Sequence, residues 1–139
     1  MPIIMDQAAL NAFLARDFPE AGPGFSVTGV SDDGISLRLD VGPDHLRPGG
    51  TVSGPAMFAL ADLAIYLAIL SRIGPVALAV TTNASMDFMR KPAAGAALRA
   101  EARLLKLGRV LAVADALIFS EGVGEPVARA AMTYSIPPR

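Results

Sequence analysis

Apolar residues recur along this chain with three different rhythms. Over residues 6–18, Leu10, Phe13, Leu14 and Phe18 fall at helical spacing, with Asp6 placed to cap the first turn. Pro19 and the cluster Gly22-Pro23-Gly24 end that segment, so an N-terminal helix is expected within residues 1–20. Phe25–Val30 and Ile35–Val41 read as two strands of a hairpin around Asp32-Asp33-Gly34. In the second, Ile35, Leu37, Leu39 and Val41 alternate with Ser36, Arg38 and Asp40. A glycine-rich loop, residues 42–54, leads into Pro55–Ile73, which is apolar on nearly every side except at Asp62. Strand patterns alone follow. Val80, Thr82, Ala84, Met86 and Phe88 alternate with Thr81, Asn83, Ser85 and Asp87. Leu98, Ala100, Ala102 and Leu104 alternate with Arg99, Glu101 and Arg103. Gly108-Arg109 marks a turn before Val110–Phe119, and a second turn at 121–125 precedes Val127–Ile136.

The predicted order is helix, two strands, one long helix and four strands, with no repeat, linker or low-complexity run. Residues 1–139 therefore read as a single α+β domain. A helix that is apolar on all faces belongs at a protein's centre. A curved antiparallel sheet of five to six strands wrapped around a central helix at 55–73 accommodates that order. A membrane span is the other reading to test for 55–73. Its length would just suffice. A central Asp costs about 2.5–3.5 kcal/mol on insertion scales, and the rest of the chain reads as amphipathic strands, so no membrane association is expected.

Composition sharpens the expectation about assembly. Hydrophobic residues make up 53% of the 139 and charged residues 18%. So small a chain exposes much of its surface, so part of that apolar content is expected between subunits. Unpaired strand edges in so apolar a chain point the same way. The net charge of −1 offers no basic field for nucleic acid. The absence of cysteine excludes disulfides, thiolate metal sites and a Cys nucleophile, and is compatible with the cytoplasm, the location expected. A single histidine, His45, speaks against a histidine-based metal site. The first 18 residues lack the basic start and apolar run of a signal peptide.

Asp62 is the leading chemical candidate, because a carboxylate among Leu60, Ala61, Leu63 and Ala64 needs either a task or a partner. Its alternative is a structural role, hydrogen-bonded across a subunit interface. Gly54 comes next. A glycine-rich loop running into Pro55, a good first helical residue, leaves backbone N–H groups at a helix N-terminus, where an oxyanion fits; its alternative is a turn that required small residues. Ser53 lacks the glycines two before and two after that a nucleophile elbow needs, and reads better as a helix cap. Arg90, Lys91 and Arg109 cluster at strand ends and a turn, as solvated charges by default and phosphate contacts as the second reading. Met57, Met86 and Met89 read as core or as lining of an acyl pocket.

The stretch from His45 to Asp62, HLRPGGTVSGPAMFALAD, resembles the signature of hotdog-fold thioesterases of the phenylacetate-degradation type. So do the later stretches from Val80 to Pro92, VTTNASMDFMRKP, and from Gly108 to Ala114, GRVLAVA. The likeness spans residues 25–136 in the same order. It implies a hotdog fold and hydrolysis of acyl-CoA thioesters, with Asp62 as general base or nucleophile. It also implies Gly54 as oxyanion donor from the opposite subunit, Thr81 as the hydroxyl that places water, and a homodimer or dimer of dimers. No cofactor and no metal are implied; coenzyme A enters only as part of the substrate. Two positions depart from the family pattern. Ser53-Gly54-Pro55 stands where His-Gly-Gly is usual, and Arg47 where Asn or Gln is usual. Arg47 either adds positive charge near the carbonyl or fills the pocket, and with Ser53, Arg90, Lys91 and Arg109 it completes the substrate-binding candidates. These departures favour the alternative of a non-catalytic acyl-CoA-binding domain. A hydratase, which would want Asp and His together, is the weaker third reading.

Overall fold

The structure, a computed structural model, describes residues 1–138. Helix α1 spans Gln7–Asp17 and starts as expected, with the Asp6 carboxylate accepting from Ala9 N at 2.9 Å. Leu10, Phe13 and Leu14 are its buried face. The helix stops one residue before Phe18, and a 3-10 turn, Pro19–Ala21, leads to the sheet.

Six strands follow: β1 Phe25–Val30, β2 Gly34–Leu39, β3 Val80–Phe88, β4 Leu98–Leu107, β5 Leu111–Ser120 and β6 Ala128–Ser135. They form one antiparallel sheet in the order β1-β2-β4-β5-β6-β3. Its concave face holds helix α2, Gly54–Ile73, of whose 20 residues 14 are buried. The inward positions nearest the helix are small: Ala100 and Ala102 on β4, Ala112, Ala114 and Ala116 on β5, Ala128 and Ala130 on β6. Side chains of one methyl let a curved sheet close around the bulky Ile65, Leu67, Ile69 and Leu70. Each such Leu or Ile contributes about 1.5–3 kcal/mol by leaving water. The apolar surface that gives α2 its membrane-like composition is thus largely consumed inside the domain. A sheet curled round one central helix is the hotdog arrangement.

Arg72, in the last turn of α2, is buried and holds the helix end to the β1–β2 turn, donating to the Ser31 carbonyl and, at 2.9 Å, to Ser71 Oγ. No carboxylate meets it among the described residues; a turn carbonyl and a hydroxyl of the last helical turn serve the cation in its place.

The two sheet edges are treated differently. On β1, beside a register shift, Asn11 of α1 donates to Val27 O at 3.0 Å and accepts from Val27 N at 2.8 Å, so a side chain closes that edge. On β3 the edge lies open, and none of its nine residues is buried. The register with β6 slips between Thr81 and Asn83, where β3 carries one extra residue. Alternation from Phe88 through Met86 and Ala84 would bring Thr82 and Val80 inward. The bulge at Thr82 reverses the phase, so Thr81 faces α2 and Val80 lies 53% exposed.

Candidate active site

The exposed stripe of α2 consists of Pro55, Phe58 and Ala59, and it ends at the half-buried Asp62. These positions share one helix face, the face left uncovered beside β3. Asp62 Oδ1 accepts two hydrogen bonds, one from Thr81 Oγ1 at 2.7 Å and one from Tyr134 OH at 2.6 Å. The same tyrosine hydroxyl lies 3.0 Å from the Asp62 backbone carbonyl. Burial pushes the Tyr134 hydroxyl well above the ordinary tyrosine range, and its hydrogen bond to Asp62 adds to the effect.

Asp62, Thr81 and Tyr134 line a cavity of about 610 Å³. Its apolar wall is built by Phe18, Phe25, Leu63, Tyr66 and Ala79. Phe18 meets Tyr66 edge to face at 5.7 Å, and the Tyr66 hydroxyl is occupied by the Ala77 carbonyl at 3.0 Å. Burial raises the Tyr66 hydroxyl, with the charge of Asp17 assisting. Asp17 and Glu20 stand at the cavity, and among the described residues no lysine or arginine lines it.

The other sequence candidates lie elsewhere in the chain. Ser53 caps α2, its hydroxyl accepting from Ala56 N at 3.2 Å, the role preferred from sequence. Its carbonyl accepts from Met57 N at 3.2 Å. Pro55 has no N–H, so among the described residues Gly54 carries the one backbone N–H of that first turn without an acceptor. Phe88, at the far end of β3, packs against Gly54: a Cβ there would sit 3.4 Å from its ring. Gly54 and Asp62 are eight residues apart on one helix, about 12 Å along its axis. Arg47 lies exposed on the loop, outside the cavity, its backbone closing a tight turn with Gly50 and Thr51.

The expected cluster of Arg90, Lys91 and Arg109 does not form within one chain. Arg109 sits in the β4–β5 turn, next to the end of the sheet where Leu111, Ser135 and Val80 align. Arg90 and Lys91 follow Phe88 at the opposite end, about 25 Å away at strand rise. Arg90 is engaged there by Glu125 at 3.0 Å and by the Pro126 carbonyl at 2.6 Å. Sequence adjacency to turns hid this separation, because antiparallel strands carry consecutive turns to opposite ends of a sheet.

Sequence reasoning missed Tyr134 and the aromatic wall of Phe18 and Tyr66. A signal for Tyr134 existed: the inward series of β6 is Ala128, Ala130, Met132, Tyr134, and only its last member carries a polar tip that needs a partner. Among the described residues no three His, Asp or Glu side chains gather as metal ligands.

The sequence profile of the thioesterase superfamily matches residues 49–127. A putative thioesterase from Silicibacter sp. TM1040 is 56% identical, over 99% of this chain and 96% of that chain, with a TM-score of 0.92. The phenylacetic acid degradation protein PaaI from Thermus thermophilus, solved as an N33D mutant, is 34% identical over 87% of this chain and 99% of that one, with a TM-score of 0.73. A hypothetical thioesterase from Streptococcus pneumoniae, solved with coenzyme A, shares the fold at 20% identity, over 92% of this chain and 97% of that one (TM-score 0.79). No curated protein matches the chain.

Proposed function

The chain belongs to the thioesterase superfamily, and we propose that it hydrolyses acyl-CoA thioesters at a site shared between two copies. The observation that carries this reading is Asp62, held through Oδ1 by Thr81 and Tyr134 in the wall of a largely apolar cavity. Its Oδ2 meets no donor among the described residues and is free to take a proton from water. Water then attacks the carbonyl carbon, the oxyanion forms, and its collapse breaks the C–S bond; the proton taken up by Asp62 passes to the departing thiolate, which releases the acid and the CoA thiol and restores the carboxylate. The Gly54 N–H, set at a helix N-terminus, suits that oxyanion.

One chain does not bring these parts together. A carbonyl bond is about 1.2 Å long, whereas Gly54 and Asp62 of one helix stand about 12 Å apart. Pairing the open β3 with that of a second copy resolves the distance. Antiparallel pairing centred between Ala84 and Ser85 sets Thr81 opposite Phe88 of the partner subunit, and Phe88 packs on Gly54. Each Asp62 thereby approaches the Gly54 N–H of the other copy. Val80 and Phe88, 53% and 54% exposed, and Phe58 become covered. The same pairing carries Arg90 and Lys91 of one copy to the end of the sheet where Arg109 of the other lies, restoring a cation set for the phosphates of coenzyme A. The S. pneumoniae structure with coenzyme A supports a CoA ester as the substrate class.

A second reading, an acyl-CoA-binding domain without turnover, draws on Ser53 and Arg47. Ser53 is committed to capping and Arg47 lies outside the cavity, so neither supplies a polar helper from within one chain. A panel of aromatic, branched and medium-chain acyl-CoAs, followed by thiol release and by calorimetric binding, decides between the two. Turnover supports hydrolysis. Binding without turnover establishes the second reading, and neither overturns both.

A further inference from the structure

We infer that Tyr134 is a positioning residue that, together with Thr81, occupies Asp62 Oδ1 and so presents Oδ2 alone to the reacting water. This inference rests on the hydrolytic reading and assigns Tyr134 its own part in it. A free carboxylate turns about its terminal torsion with two nearly equivalent oxygens. Here the Tyr134 hydroxyl bridges the Asp62 backbone carbonyl at 3.0 Å and its Oδ1 at 2.6 Å, tying main chain to side chain within a single residue. Thr81 adds a second donor to Oδ1 at 2.7 Å. The tyrosine has little freedom to leave. The residue is 2% exposed, it occupies an inward register position on β6, and its ring lies 6.2 Å from that of Tyr66.

The electrostatics of the cavity point the same way. The titratable groups that share it with Asp62 are Asp17 from α1, Glu20 from the 3-10 turn, Tyr66 from α2 and Tyr134 from β6. None supplies a positive charge. Within the chain the donors that meet the Asp62 carboxylate are therefore the neutral hydroxyls of Thr81 and Tyr134. A donor to the charged form also favours the state that acts as a base.

The test pairs turnover with a readout independent of it. Tyr134→Phe keeps the ring and its packing and removes the hydroxyl. With the melting temperature showing a folded protein, kcat is expected to fall about tenfold, the loss of about 1.4 kcal/mol from the transition state, while KM changes less than about threefold. The acid limb of the kcat–pH profile is expected to move to higher pH, since removing a donor makes the carboxylate easier to protonate. An unchanged kcat and acid limb in folded Tyr134→Phe would overturn the inference. Should that variant fail to fold, 3-fluorotyrosine at both tyrosines of the wild-type chain keeps the size and strengthens the donor, and the acid limb is expected to move to lower pH; no movement overturns the inference. In proton NMR the Tyr134 hydroxyl is expected as a downfield, slowly exchanging resonance in the wild type, displaced upfield in Asp62→Asn. A hydroxyl proton that exchanges like that of free tyrosine refutes the tie to Asp62 even if no thioester is ever turned over, which separates the failure of this inference from that of the hydrolytic reading.

Discussion

Thr81 and Asp62 meet through a 2.7 Å hydrogen bond because β3 carries one residue more than β6 between Thr81 and Asn83. The extra residue turns the Thr81 hydroxyl toward α2 and sends the neighbouring Val80 onto the exposed surface. Bulges re-aim side chains and sit characteristically at sheet edges and beside sites of chemistry; here a single one does both. It dresses the acid with a donor and leaves apolar surface where a second copy would pair.

Asp62→Asn keeps the size of the side chain and its capacity to accept from Thr81 and Tyr134. Thioester turnover is expected to fall about 10²-fold or more, as when a general base is lost, with oligomeric state retained. Thiol release and melting temperature measured on the same preparations check this. A variant as active as the wild type removes Asp62 from the chemistry, and a variant that melts early with turnover per folded molecule intact assigns it a structural role.

Phe58 lies on the uncovered stripe of α2, 38% exposed. A single chain tolerates a charge there, because water still reaches it. A subunit interface does not, since an unpaired charge buried between copies costs several kcal/mol. Phe58→Asp is therefore expected to convert a species of at least twice 14.4 kDa into the monomer in sedimentation, and to abolish turnover with it. A wild type that already sediments as a monomer at micromolar concentration refutes the shared site.

Replacing Arg90, Lys91 and Arg109 together with Gln is expected to weaken CoA esters by at least about tenfold, equivalent to about 1.4 kcal/mol. The matching pantetheine esters, which lack the nucleotide phosphates, are expected to change little. Competition binding with both ligand series measures the contrast, and equal losses would argue against phosphate contacts.

Stability at alkaline pH follows from the two buried hydroxyls. Tyr134 and Tyr66 are raised above the ordinary tyrosine value of about 10 by burial, with Asp62 and Asp17 adding. The folded state therefore keeps protons that the unfolded chain releases. Stability is full below about pH 10 and declines as pH rises above that value toward the raised folded values. Tyr134→Phe removes one such group, so its melting temperature is expected to fall less steeply above about pH 10 than that of the wild type. Parallel curves would contradict the burial of that hydroxyl.

What the sequence determined by itself followed from local periodicity and from one anomaly. Nineteen residues, Pro55–Ile73, apolar on nearly every face and flanked by alternating strands, have few ways to leave water other than as a helix inside a curled sheet. An aspartate within that run stands out in any arrangement, and Ser53 before Pro55 marks the helix start through its own hydrogen bond. Tertiary structure decided the rest. The strand phase that places Thr81 rather than Thr82 against Asp62 depends on a bulge whose register is set by β6, about fifty residues later in sequence. The meeting of Tyr134 with Asp62, across 72 positions, and the placing of Phe18 against Tyr66 depend on how the sheet curls. Arg90 and Arg109 both stand beside turns in the sequence, but antiparallel connectivity sends them to opposite ends of the sheet. Periodicity reports which residues share a face of one element; only the packing of elements decides which of those faces meet.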